Sequence, residues 1–217
     1  NSGGQLDRNN SFLIDGVSND QVNNATTRGG FSLETVREFV VLANQFTAEY
    51  GLASGAIVSV VTRSGTNQLQ GRGFLFHRDD AFDAQDPFSK AQGSGEAPFS
   101  MQRYGGFAGG PIVRDRMHYF ASYEGLRQDE TAVVSSPLVP VDQREFPNNN
   151  NQDLYFVKSD FRLNDANSFW GRYRMDYDKT IGEGIGGANT FERGRDTIGR
   201  NQDIGPNHRS VISPRRL

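Results

Sequence analysis

Apolar and polar residues alternate along most of this chain, and the alternation changes character near residue 67. Before that point Ala56, Ile57, Val58, Val60 and Val61 crowd into a compact, β-branched strand ending at Arg63. Ser64-Gly65-Thr66-Asn67 is a turn signal. After it the strands lengthen to about ten residues and acquire two distinct faces. A strand over 68–78 sets Phe74 and Phe76 on one face, and one over 101–110 is rich in glycine. In the strand over 116–127, Met117, Tyr119, Ala121 and Tyr123 oppose His118, Ser122 and Glu124, with Phe120 breaking the pattern. Residues 153–163 alternate Tyr155, Val157, Phe161 and Leu163 against Lys158, Asp160 and Arg162. The clearest strand, 168–178, places Phe169, Tyr173, Met175 and Tyr177 opposite Arg172, Arg174, Asp176 and Asp178.

The connections are unequal. Residues 111–115 and 164–167 are tight turns, whereas 79–100, 128–152 and 179–209 read as long polar loops. Upstream, Phe12-Leu13-Ile14 is a short strand ended by the Asp15-Gly16 turn. Ser32 caps a short predicted helix with Glu34 in its first turn, and strands follow over 38–46 and 55–63. Residues 1–63 therefore form a small mixed α/β unit.

Composition sharpens this picture. The chain has 217 residues, with 25 Gly and 16 Phe but one Trp, and it contains no Cys, so disulfides and thiolate metal sites are excluded. Mean hydropathy is -0.63 and only 35% of residues are hydrophobic, poor for a water-soluble core of this size. No run approaches the ~18 apolar residues of a membrane helix. Long strands with apolar residues on one face, polar residues on the other, and short turns alternating with long loops match a transmembrane β-barrel. A net charge of -3 gives no general attraction to nucleic acid. Beginning at Asn1 without an initiating Met or signal peptide, the chain is expected to be a piece of a longer precursor.

Several blocks in order, LIDGV (13–17), AEYG (48–51), SGAIVSVVTRSGTN (54–67) and GGPIVRDRMHYFASYEGLR (109–127), resemble TonB-dependent outer-membrane receptors of the Oar-like branch. That branch usually carries a carboxypeptidase-regulatory-like domain at its N-terminus. The resemblance implies a bacterial outer-membrane protein whose residues 1–67 are the later part of a plug domain. Residues 68–217 would be the first five or six antiparallel strands of an incomplete barrel. It further implies uptake of a bulky nutrient by energised plug gating. The partners implied are a TonB complex (its contact segment outside this chain), outer-membrane lipid and an extracellular ligand, with no cofactor. The plug positions singled out are Asp15, Gly16, Glu38, Tyr50, Gly51, Gly55 and Arg63, and the lumen-facing candidates are Arg172, Arg174 and Asp176. The family's Arg-Gly pair ahead of Tyr-Gly is missing from VVLANQFTAEYG, so its ionic pairing between plug and barrel does not transfer.

Other motifs are weak. Gly182 to Gly187 fits G-x-G-x-x-G without a following helix, and His77-Arg78-Asp79 lacks a kinase context. His77, His118 and His208 are too far apart in sequence for a metal motif, and Asp79, Asp80, Asp83 and Asp86 lack calcium-loop spacing. No catalytic or metal-binding residues are assigned, and enzymatic activity is not expected. The alternative function is an exported adhesin or glycan-binding β domain.

Overall fold

The computed structural model describes residues 10–21, 27–43, 55–82, 98–135, 138–140 and 143–211. Two sheets account for nearly all of it. The small sheet has four strands: β1 (Ser11–Ile14), β2 (Val17–Ser18), β3 (Val36–Leu42) and β4 (Ile57–Thr62), in the order β2-β1-β4-β3. Asp15 and Gly16 both have positive φ, 49° and 81°, and join β1 to β2 across the Ile14↔Val17 pair. Two successive positive φ values fit a two-residue hairpin of the I′ kind, which favours Asp-Gly. β1 then pairs in parallel with β4, burying Ile14, Ile57 and Val60.

The large sheet has six long antiparallel strands: β5 (Gln70–Asp79), β6 (Phe99–Val113), β7 (Met117–Val133), β9 (Asn149–Arg162), β10 (Asn167–Glu183) and β11 (Arg195–Ser210). A short β8 (Glu145–Pro147) pairs with the end of β7. The order β5-β6-β7-β9-β10-β11 follows the chain and leaves β5 and β11 as edges, so the sheet is an unclosed barrel wall.

Register sorts the side chains by face. One rung aligns Phe107, Ser122, Phe156, Arg174 and Asp203, and the next aligns Phe120, Lys158, Arg172 and Gly205. This inner face lies against the small sheet. On the other face, Val157, Phe161, Phe169, Tyr173 and Ile204 are exposed. Outer-face rungs from Met117 to Gly125 cover about 27 Å at ~3.4 Å per residue. At a tilt of ~40° that is roughly 20 Å of height, near the ~25 Å apolar band of outer-membrane barrels. The band ends toward the long loops in a polar cluster, where Tyr123 donates to Asp153 at 2.6 Å and Arg127 Nη2 contacts the same carboxylate at 2.7 Å.

The structure departs from the sequence expectations at four places. The 179–209 loop is a strand over most of its length, because β10 runs to Glu183 and β11 begins at Arg195. The 128–152 loop likewise contains the end of β7, all of β8 and the start of β9, including Asn149 to Asn151. In both, ladder hydrogen bonds to a neighbour outweigh the poor strand propensity of Asn and Gly. The helix expected after Ser32 is a single 3-10 turn, Leu33–Thr35; Ser32 Oγ accepts from the Glu34 N–H, and Val36 at once turns extended to join β3. Finally, Phe120 is no irregularity. It is buried on the inner face, its ring 5.5 Å from Phe107 and 6.1 Å from Phe156.

Candidate functional site

The interface between the two sheets is dominated by polar groups. The Asp-Gly hairpin carries Asp15 to the large sheet, where its Oδ2 lies 3.2 Å from Arg172 Nη1 and 3.5 Å from Lys158 Nζ. Thr62 holds the carboxylate from the small-sheet side, donating from its backbone N–H to Oδ1 at 2.9 Å and from Oγ1 to Oδ2 at 2.7 Å. Arg172 also donates to the carbonyl of Ile14 at 2.7 Å, and Lys158 donates to Thr62 Oγ1 at 3.0 Å. The Lys158 ammonium sits 4.9 Å over the ring of Trp170.

Two residues along β10, Arg174 makes the second half of this latch. Its Nη2 donates to the carbonyl of Arg28 at 2.7 Å and to Asn19 Oδ1 at 3.0 Å, and its Nε contacts Asp203 Oδ1 at 2.7 Å. Asp203 Oδ2 is 3.3 Å from Arg172 Nη2, so one β11 carboxylate joins both arginines. Arg172 and Arg174 are only 4% and 3% exposed. Charges taken this far from water persist only when paired and hydrogen-bonded, as these are.

A third set of contacts lies over β7. Ser32 Oγ donates to Glu124 Oε2 at 2.5 Å, Thr35 and Ser122 hydroxyls are 2.9 Å apart, and Arg103 Nε reaches Glu124 Oε1 at 2.6 Å. Nearer the short turns, the link between sheets is pinned to the wall. A side chain at Gly65 would collide with the backbone of Gly110 and Tyr119, so only glycine permits this approach. Asn67 Oδ1 accepts from the Asp115 N–H at 2.8 Å, bracing the turn between β6 and β7, where Asp115 has φ 62°.

An outer-membrane beta-barrel domain family model matches residues 61–145. The chain is 23% identical over 124 residues to the TonB-dependent transporter Oar of Myxococcus xanthus, a match covering 55% of this chain and 12% of Oar. Among solved structures it superposes on the ferric enterobactin receptor PfeA of Pseudomonas aeruginosa with TM-score 0.65 and 14% identity, over 95% of this chain and 31% of that one. The outer-membrane transporter YddB of Escherichia coli gives TM-score 0.67 and 14% identity, over 95% and 30%. The chain is thus similar in sequence to a TonB-dependent transporter and in fold to the wall and small sheet of outer-membrane receptors. It spans about an eighth of Oar and under a third of either solved protein. Its place is the bacterial outer membrane.

Within this barrel wall the singled-out residues separate clearly. Asp15, Arg172 and Arg174 meet in the latch, and Gly16 completes the turn that aims Asp15. Asp176, 2% exposed, accepts from Asn201 Nδ2 at 3.1 Å and faces Gly29, whose φ is 63°. Arg63 donates from Nε to the Val36 carbonyl at 3.1 Å and lies 5.0 Å from the Phe107 ring centre. Gly55 is buried at the entry to β4, whereas Glu38 is exposed on β3, away from the latch. Tyr50 and Gly51 lie outside the described residues, as do Asp83 and Asp86. Asp79 and Asp80 line a groove with Asp129, Glu130 and Glu145 at the loop ends. Among the described residues no group of three or more acidic, histidine or cysteine side chains is arranged to hold a metal.

Lys158, Glu124 and Asp203 were not singled out by sequence. The first two sit on the polar faces of alternating strands, a signal that was present. Asp203 lies in β11, where only Ile198 and Ile204 mark an apolar face, too little to announce a strand.

Proposed function

We propose that residues 1–67 are the later part of a plug and 68–217 the opening strands of the barrel of a receptor that imports a bulky ligand. In this reading a TonB complex, acting through a segment outside these residues, moves the plug within the wall. The short turns at 114–116 and 164–166 face the periplasm, and the long connections face outward. The observation that carries the reading is the chemistry of the interface. A dry apolar seam would bind the two sheets as a permanent core. Here Asp15, Thr35, Ser32 and their partners exchange hydrogen bonds that water can replace as the sheets part.

Gating then requires that ligand and TonB each favour one plug state, since equal affinity for both shifts nothing. Driving such a pair of states from 1:99 to 99:1 needs about 5.5 kcal/mol of preference. An adhesin with a closed water-soluble sandwich is not favoured, because the exposed apolar outer face has no second sheet over it among the described residues.

The chain has no native cysteine, so Thr35→Cys in the complete receptor gives a single reporter in this region. Thr35 is fully buried against Ser122. A polar maleimide is expected to label it slowly in resting cells and at least tenfold faster when TonB is energised. Labelling that ignores both TonB and the proton-motive force would remove the moving plug from the proposal.

A further inference from the structure

Every inner-face cation named in the latch has a carboxylate partner, but two arginines beside it have none among the described residues. Arg37 is the extra residue of a bulge in β3, where pairing jumps from Val36↔Thr62 to Glu38↔Val61. A bulge takes a residue out of the ladder and re-aims its side chain. Arg63 follows the end of β4 and, among the described residues, donates from Nε alone, to a carbonyl. Both line a cavity of about 380 Å³ between the small sheet and the wall, with Gln70, Gly109, Phe107 and Phe120 on the wall side.

Among the described residues no Asp or Glu lines this cavity. Of the carboxylates nearby, Glu34 pairs with Arg72 at 3.5 Å, Glu124 with Arg103 and Ser32, and Asp15 belongs to the latch, while Glu38, next to Arg37 on β3, and Asp160, bonded to Ser64, form no ion pair with either arginine. Among the described residues neither Arg37 nor Arg63 forms an ion pair. Two guanidinium groups with no ion pair among the described residues, set over an aromatic floor, make a local positive potential, and guanidinium forks match carboxylate and phosphate geometry.

We infer that this cavity is an oxyanion station, holding a carboxylate or phosphate group of a ligand between the two sheets. The inference rests on the gated-receptor reading and adds to it the charge of what passes. The station stands beside Ser64 and Thr66, on the rungs of Phe120 and Phe107 that carry Lys158, Arg172 and Arg174 further along the wall. The acidic groove at the loop ends, with Asp79, Asp129 and Glu145, gives the path a field that draws an anion toward the station.

The test uses the complete receptor in detergent micelles, with inorganic phosphate and pyrophosphate followed by phosphorus NMR line width and citrate by calorimetry. Saturable binding is expected in the wild type. Arg37→Gln or Arg63→Gln should each weaken it at least tenfold, and Arg63→Lys, keeping charge without the fork, should fall between. Arg162→Gln removes an exposed arginine paired with Asp165 at a short turn and should change nothing. Heat-dependent gel mobility verifies that each variant is folded; exposed Arg37 serves if Arg63 variants misfold. Wild-type receptor that binds none of the three anions would overturn the station, since a carboxylate from elsewhere in the receptor would then fill the pair. Equal binding by the Gln variants would overturn it as well. Maleimide labelling at Thr35→Cys reads plug movement without any anion, so loss of one result leaves the other standing.

Discussion

A single turn residue holds the latch together. Asp15 is aimed by the Asp-Gly hairpin, and its carboxylate is the small sheet's only counter-charge to Lys158 and Arg172 among the described residues. Asp15→Asn keeps the shape and most hydrogen-bond acceptors but removes the charge. Breaking a buried pair from one side costs on the order of 3–5 kcal/mol. Asp203 still supports Arg172, so the lower end applies here. The expected outcome is release of the small sheet at lower urea, read by labelling of Thr35→Cys. Asp15→Asn combined with Lys158→Met should recover part of the loss, because the buried ammonium is gone too. Simple additivity of the two changes would refute a direct pairing. These residues were legible to different degrees. Asp15-Gly16 announces a turn and Arg172 and Arg174 announce a polar strand face, but which carboxylate meets which cation depends on two sheets packing, and no local pattern encodes that.

At the scale of elements, the strands outlast their sequence signal. Alternation of apolar and polar residues marks a strand only where one face meets lipid, and β7, β9 and β10 continue past that band. β10 and β11 stay paired from Asn167↔Ser210 to Thr180↔Thr197, and Glu183↔Arg195 closes the ladder. At that last rung the carboxylate accepts from Arg195 at 2.9 and 2.8 Å and from Thr197 Oγ1 at 2.9 Å. These bonds hold the Glu183 carboxyl down at about 2, below its usual 4.5. Because the folded-state value is depressed, the contribution is fully present above about 4.5 and is lost as pH falls through about 2. Glu183 lies at the loop end of β10, beyond Tyr177, the last aromatic on the outer face of that strand. Amide protection in the upper β10–β11 ladder, taken relative to the intrinsic exchange rate at each pH, should therefore stay high at pH 5 and fall toward pH 2, while Glu183→Gln should be poorly protected at both. Protection that is the same at both pH values in the wild type would show that the rung does not hold the hairpin shut.

Across the whole molecule, two faces of one sheet answer to two solvents. The inner face is charged because another sheet and water satisfy it; the outer face is apolar because lipid offers no partner for charge. Val157 lies mid-band on the outer face, paired with Ala121 and Tyr173. Asn151 lies on the same face of the same strand, above the band, paired with Arg127 and Lys179. If the band is set in a bilayer, an arginine at the first position costs about 2–4 kcal/mol and at the second about 0–1 kcal/mol. Val157→Arg and Asn151→Arg in the complete receptor, unfolded by urea from lipid vesicles, should separate by that margin. A soluble sandwich would also penalise Val157→Arg, since a second sheet would cover that face, but the penalty would not depend on lipid thickness. In vesicles of shorter-chain lipid the midplane moves closer to water on both sides, and the Val157→Arg cost should shrink while that of Asn151→Arg stays small. A Val157→Arg cost that is the same in thick and thin bilayers would place the apolar face against protein rather than lipid, and the wall would have to be read as one half of a buried core.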